Sequence, residues 1–325
     1  MCFLPLRASS RAPGENLQRT FKSTSPCIFF FILQVGSLSE IRAGHPNWEW
    51  AADLYDGIGN LYQDQAKFDE ALEWYTKALR IVESNSQSCD EIARLALSRA
   101  VSYERIGMVY RKQGEFGDNK SGLGNALLQF QKALEIKTSI FGSDHQELAV
   151  CYGHIGQVLG SMQRHEEALV QLQKCHDIEV KHHGSDSWTV AVALQGMGGN
   201  YRKLGLYEKA LECCQKEREI VLRLHGADHC STADSHETVG SVFFFMKKYE
   251  EALVQHQRAL EIRTRMLPPN NPETKRGLVK IAITLMKLGR HEQAQLFFQK
   301  YGIPAEMARN PALLQRLIQS IEGNS

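Results

Sequence analysis

The stretch GMGGNY, residues 196–201, decides the fold, because it opens a pattern that recurs along most of the chain. Its small third residue, Gly198, is followed by the turn LGLY at residues 204–207 and then by Ala210. Apolar residues recur at helical spacing on both sides of this turn, which is typical of amphipathic helices. The stretch therefore predicts two helices joined by a short turn.

The same pattern returns at a fixed period along the chain. The residues equivalent to Gly198 all have small side chains; they are Gly59, Gly107, Gly156, Gly240 and Ala282. From Gly156 onward they are spaced 42 residues apart. The equivalents of Ala210 are Ala71, Ala126, Ala168, Ala252 and Ala294, of which Ala126 is displaced by an insertion at residues 117–125. A fixed period of this length indicates an array of repeats.

The small residue has a packing role in this interpretation. Glycine inside a helix costs about 0.5–1 kcal/mol relative to alanine, so repeated glycines in register need a compensating reason. We expect Gly198 and its equivalents to let the two helices of each repeat approach closely, with the alanine of the second helix opposite.

The pattern closely resembles the tetratricopeptide repeat: a small residue at the eighth place, an aromatic or leucine at the eleventh, and alanine at the twentieth. Phe141-Gly-Ser-Asp-His145 and His225-Gly-Ala-Asp-His229 end two of the longer, 42-residue units. This signature is similar to the kinesin light chain and nephrocystin-3 branch. The resemblance implies an all-α, right-handed superhelical solenoid of about six helix pairs, in which each pair stacks on the next to bury its apolar face.

The expected domain organisation has three parts: a leader at residues 1–47, disordered or loosely attached; the repeat array at 48–303; and a C-terminal capping helix at 304–325. The expected units of the array lie near residues 52–90, 91–140, 149–184, 191–226, 233–268 and 275–303. The leader contains one apolar run, residues 27–35, which is about half the length that a membrane-spanning helix needs. We therefore expect no membrane span.

Composition narrows the class of protein further. The 325 residues carry 38 Lys+Arg against 37 Asp+Glu, a formal net charge of +1, which argues against broad electrostatic binding to nucleic acid or to anionic membranes. Eight cysteines without paired spacing favour a reduced, cytoplasmic location. The resemblance implies an association with the cytoskeleton.

No motif predicts catalysis, a cofactor or a metal. The pairs Asp144/His145, His182/His183 and Asp228/His229 return with the repeat, so the glycine beside each is expected to end a helix and the aspartate to cap the next. The insertion lacks the strand and the spacing of a phosphate-binding loop. No nucleophile elbow or triad spacing is present. The protein is not expected to be an enzyme.

In arrays of this family the first helix of each repeat lines a concave groove, and this implies the candidate partner-binding residues. In chain order they are Asn60, Arg105, Met108, Arg111, Gln195, Arg202, Lys203, Phe244, Phe245, Arg276 and Lys280. The groove would be acidic at its N-terminal end and more basic towards the C-terminal end. We therefore expect a ligand with acidic residues around an apolar anchor, received by Phe244 and Phe245.

The resulting hypothesis is a non-catalytic, kinesin light chain-like adaptor or scaffold that binds a peptide or helix of a protein partner in this groove. The alternative is a regulatory or substrate-holding subunit of an enzyme complex. The leader shows no heptads, which leaves binding to a motor heavy chain in doubt.

Overall fold

A computed structural model describes residues 48–84, 92–116, 121–268 and 271–300. The chain forms two compact units, residues 1–95 and 96–325. The predicted leader (1–47) and the predicted capping helix (304–325) lie outside the described residues.

Within the described residues, all regular secondary structure is α-helical. The helices are α1 (Trp48–Asp64), α2 (Phe68–Ser84), α3 (Ile92–Phe116), α4 (Ser121–Phe141), α5 (Glu147–Ser161), α6 (His165–His183), α7 (Trp188–Lys203), α8 (Tyr207–His225), α9 (Cys230–Phe245), α10 (Tyr249–Met266), α11 (Pro272–Lys287) and α12 (His291–Lys300).

The helices pack in consecutive pairs. The first helix of a pair lies against the second in α1 with α2, α5 with α6, α7 with α8 and α9 with α10. In the second unit the second helix of each pair then packs on the first helix of the next, as α6 does on α7 and α8 on α9. This packing confirms the predicted all-α solenoid of stacked helix pairs, because each described pair packs on its sequence neighbours.

Glycines end the second helices as predicted. The residues that cap the next first helices, however, are not the expected aspartates. Gly184 and Gly226 terminate α6 and α8 with φ angles of 78° and 81°, a left-handed backbone that glycine adopts without steric cost. The helix caps are Ser187 before α7 and His229 before α9, whose side chains accept backbone N–H bonds from Val190 and Ser231. The prediction that the aspartates cap these helices is wrong.

The aspartates form ion pairs with the next repeat instead. Asp186 contacts Arg223 of α8 at 2.8 Å, and Asp228 contacts Arg265 of α10 at 3.0 Å. Asp144 pairs in the same way with Lys181 of α6. Acid and base both recur every 42 residues, so the loops form a ladder of exposed ion pairs in which each loop is joined to the end of the following second helix. Exposed pairs of this kind set geometry more than stability.

The close approach of paired helices depends on the small residue of the first helix. A Cβ atom added at Gly198 would lie 2.7 Å from the Cys214 sulfur, and one at Gly156 would lie 2.7 Å from Leu172 Cγ. The alanine expected opposite the glycine contributes only its backbone carbonyl, 3.5 Å away for Ala210. The residue facing each glycine is therefore the larger one on the next turn of the second helix.

We predict that Gly198→Leu lowers the free energy of unfolding by about 2–4 kcal/mol, because the new side chain must displace α8. Chemical denaturation followed by circular dichroism measures the change. Gly199→Leu is the matched control, since a Cβ atom at Gly199 meets nothing within 4 Å. Equal stability of the two variants would contradict the assigned helix packing.

Candidate functional site

The candidate site in the second unit is the surface formed by the first helices of its pairs, α3, α5, α7, α9 and α11. We call this surface the A-helix face; its predicted binding residues are Arg105, Met108, Arg111, Gln195, Arg202, Lys203, Phe244, Phe245, Arg276 and Lys280. Helices α5 and α7 contact each other directly, which places successive first helices side by side.

Asn60, the remaining predicted binding residue, belongs to the first unit. It is exposed on α1, and its Oδ1 accepts a hydrogen bond of 2.6 Å from the Tyr75 hydroxyl of α2. Burial raises the pKa of Tyr75 to about 12, so this hydroxyl stays a donor at neutral pH. Asn60 thus has a role in joining its own helix pair.

The three predicted residues of α3 are partly buried. Met108 packs against the apolar cluster that contains Leu123 and Phe130, so its side chain is partly used in the core. Arg111 donates to Glu115 at 3.0 Å, an ion pair within one helix. Arg105 is half-buried.

The middle of the A-helix face is open. Gln195 and Lys203 of α7 are exposed, as is Val150 of the neighbouring α5, whose side chain is 45% exposed. Gly199 lies between Gln195 and Lys203 on α7 and faces open space. Gly199 therefore adds no side chain to this part of the face, and its neighbours present theirs to solvent.

Phe244 and Phe245 are half-buried at the end of α9. The Phe245 ring lies nearly parallel to that of Tyr207, with centroids 6.2 Å apart, and Phe244 meets Phe245 edge to face. The Arg202 guanidinium lies 5.1 Å over the Phe245 ring and is only 8% exposed. Arg202 was predicted to lie on the exposed groove surface; instead it is buried, because it packs on a ring supplied by the next repeat.

Lys280 was likewise expected in the groove and is instead buried in an ionic network. Its Nζ donates to Glu237 Oε1 at 2.7 Å and to the Ser241 hydroxyl at 3.3 Å. Arg263 of α10 also pairs with Glu237, and its second nitrogen donates to Asp234 at 2.6 Å. Lys280 is therefore a structural cation that holds α11 to α9.

Arg276 lies at the edge of this network and stays exposed. It pairs with Glu273 on its own helix, and its Nε lies 3.7 Å from Glu237 Oε1. Burial alone would raise the pKa of Glu237, but the charges of Lys280 and Arg263 outweigh burial and lower that pKa to about 2. Glu237 is therefore ionised throughout the neutral range.

A similar buried pair occurs earlier in the array. Lys137 of α4 donates to Glu104 of α3 at 2.8 Å, and Glu104 also accepts from the Cys151 thiol at 2.9 Å. Glu104 occupies the place in its repeat that Glu237 occupies in its own, and Lys137 is the equivalent of Arg263. A buried acid and base at matching places could have been found from the sequence, but only once the register of the insertion was known.

We predict that Glu237→Ala lowers the free energy of unfolding by about 3–5 kcal/mol, because Lys280 and Arg263 are left buried without their shared carboxylate. Denaturant unfolding at neutral pH measures the loss. Asp234→Ala is the control, since Asp234 is exposed and contacts only Arg263 in this network; an equal loss there would argue against the network's central role.

Glu217 is a second buried acid, on α8, but its surroundings differ. It is 5% exposed, and its Oε1 lies 2.7 Å from the Ser235 hydroxyl of α9, which also lies 3.0 Å from the Ser231 carbonyl. One hydroxyl proton cannot serve both acceptors. Ser235 donates to Glu217 when that carboxylate is ionised; when Glu217 is protonated, its own hydroxyl can donate to Ser235 and leave the Ser235 proton for Ser231.

Burial raises the pKa of Glu217 to about 7, above the value near 4.5 of an unperturbed glutamate. The native state then binds more protons than the unfolded state between these two pH values, so this group makes stability fall as pH rises through that window. We predict that Glu217→Gln is more stable than the parent at pH 8 and loses this part of the pH dependence. Urea unfolding from pH 5 to pH 8 measures both; an unchanged slope in the variant would contradict a neutral Glu217.

Among the described residues, no three histidine, cysteine or acidic side chains lie close enough to hold a metal ion, and no helix is both long and apolar enough to cross a membrane. A shallow cavity of about 400 Å³ lies between α6 and the end of α7. It is lined by Leu169, Val170, Gln173, Lys174 and Tyr201.

The comparisons with solved structures agree with this architecture. BtubC from P. vanneervenii is 15% identical, with a TM-score of 0.61 over 74% of this chain and 92% of that chain. The repeats of a putative kinesin light chain from Podosopora anserina are also 15% identical, with a TM-score of 0.55 over 65% and 98%. A signal transduction ATPase with a tetratricopeptide repeat sensor from Pyrococcus horikoshii is 16% identical, with a TM-score of 0.63 over 94% and 42%.

At these identities the solved structures establish a shared fold. No curated protein matches this chain. A tetratricopeptide repeat family model matches residues 123–178, 189–265 and 233–301, which is more than half of the chain, and a second model of the same repeat matches residues 51–84. The chain therefore belongs to the tetratricopeptide repeat family.

Proposed function

We propose that this protein is a non-catalytic adaptor or scaffold that binds a peptide or helix of a protein partner across its A-helix face. Repeats of this family typically act as protein-interaction modules. Solenoids bind their partners on the extended concave surfaces that stacked repeats create. The comparison with kinesin light chain-like repeats supports the same general role.

The observation that carries the proposal is the open surface in the middle of the A-helix face. Gln195 and Val150 are exposed there, and Gly199 leaves space above the helix backbone. The cores of these repeats are filled by other side chains, such as Leu172, Val190 and Leu194. The exposed positions are therefore available for a partner at little cost to packing.

The polarity of the face favours an acidic ligand with an apolar anchor. Lys203 and Arg276 are exposed cations, and Phe244 and Phe245 are half-buried rings that can receive an apolar side chain. Arg202 is buried under the Phe245 ring and adds positive charge there, whereas the charge of Lys280 is paired with Glu237. Aromatic anchors supply much of the energy at such interfaces, while exposed charges mainly set orientation and association rate.

A cytoplasmic setting, with a link to the cytoskeleton, is part of the proposal. Its support is that the described cysteines are free thiols, with Cys151, Cys175, Cys213 and Cys214 buried, as suits a reducing compartment. Burial, and then the nearby carboxylate of Glu104, hold the pKa of the Cys151 thiol above its usual value, so it stays protonated and unreactive.

We predict that a photo-crosslinking amino acid at position 195 of the full chain captures a partner protein, because Gln195 is exposed at the centre of the A-helix face. The matched control carries the same amino acid at position 174, where Lys174 is exposed on the second-helix side. Gel shift and mass spectrometry of the crosslinked products compare the two. Capture of the same proteins at both positions, or at 174 alone, would contradict the proposal.

A further inference from the structure

The turns after α7 and α9 carry a surface that the other described repeats lack. We call it the turn patch; its residues are Tyr207, Phe244, Phe245, Lys247, Lys248 and Tyr249. The rings form a continuous row: Tyr207 stacks on Phe245 at 6.2 Å, Phe245 meets Phe244 at 6.0 Å, and Phe244 meets Tyr249 at 5.4 Å between centroids. All four rings stay partly exposed.

The repeat itself does not require aromatic side chains at the end of a first helix. The residues equivalent to Phe244 and Phe245 are Gly160 and Ser161 in α5, Arg202 and Lys203 in α7, and Met286 and Lys287 in α11. The core between α8 and α9 is formed by Ala210, Cys214, Val239 and Val242, with Tyr207 packed against it at one end of the row. The aromatic row is therefore a feature of this one place, and partly exposed aromatic rings are typical of contact surfaces.

Positive charge surrounds the row. Lys247 and Lys248 are exposed on the turn, and the Arg202 guanidinium lies on the ring of Phe245. Glu250, the acid next to Tyr249, is engaged by Arg290 at 2.6 Å. The turn patch thus offers apolar rings flanked by cations, which is complementary to carboxylates beside an apolar side chain.

Lys247 has an unusual backbone conformation, which allows its charge to be removed without loss of stability. Its φ angle is 61°, in the left-handed region, where the equivalent residues of the neighbouring turns are Gly205 and Gly289. A side chain with a Cβ atom is disfavoured in this conformation relative to glycine, so Lys247→Gly removes the charge and relieves strain at the same time.

We propose that the turn patch docks an acidic segment of a partner protein, with its apolar residue on the aromatic row and its carboxylates on Lys247 and Lys248. The proposal rests on the proposed function in so far as Phe244 and Phe245 belong to the A-helix face. A nucleic acid could also use rings and cations, but the exposed Glu208 and Glu251 border the patch and repel a continuous polyanion.

The test measures binding of a fluorescent glycine-serine peptide, in which one central leucine is flanked by an aspartate on each side, to the full chain by anisotropy at low salt. Lys247→Glu/Lys248→Glu is expected to weaken binding at least about tenfold, as reversed charges at a contact do. The control double variant is Lys132→Glu/Lys174→Glu, which makes the same charge change at two exposed lysines that also lie beside aromatic rings; its affinity is expected to stay within about twofold of the parent.

Lys247→Gly separates binding from folding. We expect this variant to weaken peptide binding about threefold, as loss of one exposed cation does. The thermal unfolding midpoint is expected to rise or stay equal. A companion peptide with glycine in place of leucine is expected to bind more weakly than the parent peptide, because it leaves the aromatic row empty.

Four outcomes would overturn the inference. They are no binding of the acidic peptide, equal losses in both double variants, equal binding of the leucine and glycine peptides, and tighter binding of a single-stranded RNA or of phosphatidylserine vesicles that depends on Lys247 and Lys248. If any of these occurs while crosslinking at position 195 still captures a partner, the turn patch is excluded and the proposed function stands.

Discussion

The close contact between the small residue of a first helix and the large residue of its partner helix is the constraint on which the whole array depends. At Gly59 the facing group is Tyr75, at Gly107 it is Phe130, and at Gly240 it is His256, each within about 3 Å of where a Cβ atom would lie. The facing residue varies in size and polarity, whereas the first-helix residue is glycine or, at position 282, alanine. The repeat thus tolerates many side chains on one helix because the other presents bare backbone.

This contact also fixes where charge can be buried. With the helices so close, a long side chain of the second helix reaches the first helix of its own pair. Arg263 and Lys137 do so, and each finds a glutamate at the same place of a first helix. Where the acid is replaced by Gln195, the equivalent second-helix residue is the apolar Val221, and the glutamine is left at the surface. The buried ion pairs and the open centre of the A-helix face are therefore alternative uses of one position.

Much of the fold was predictable because it follows from local periodicity. The spacing of Gly198, Gly240 and Ala282 was sufficient for the helix pairs and their stacking, and Gly184 and Gly226 marked helix ends correctly. The site was harder to predict, because the state of a side chain there depends on residues about forty positions away. Arg202 is buried by Phe245 and Lys280 by Glu237, and no pattern within a single repeat contains either partner. The aspartates of the loops failed as predicted caps for the same reason, since their partners lie on the following repeat.

The ladder of loop ion pairs has a consequence for how such a chain can change in length. Asp144 meets a base 37 residues downstream, Lys181. If the 42 residues from 145 to 186 were lost, the residue at that distance would be Arg223, which already pairs with an equivalent aspartate. A whole repeat can thus be removed or duplicated there while acid still meets base at the new junction. The network around Glu237, Arg263 and Lys280 has no such substitute, so gain or loss of repeats is structurally permitted in the middle of the array and penalised towards α11.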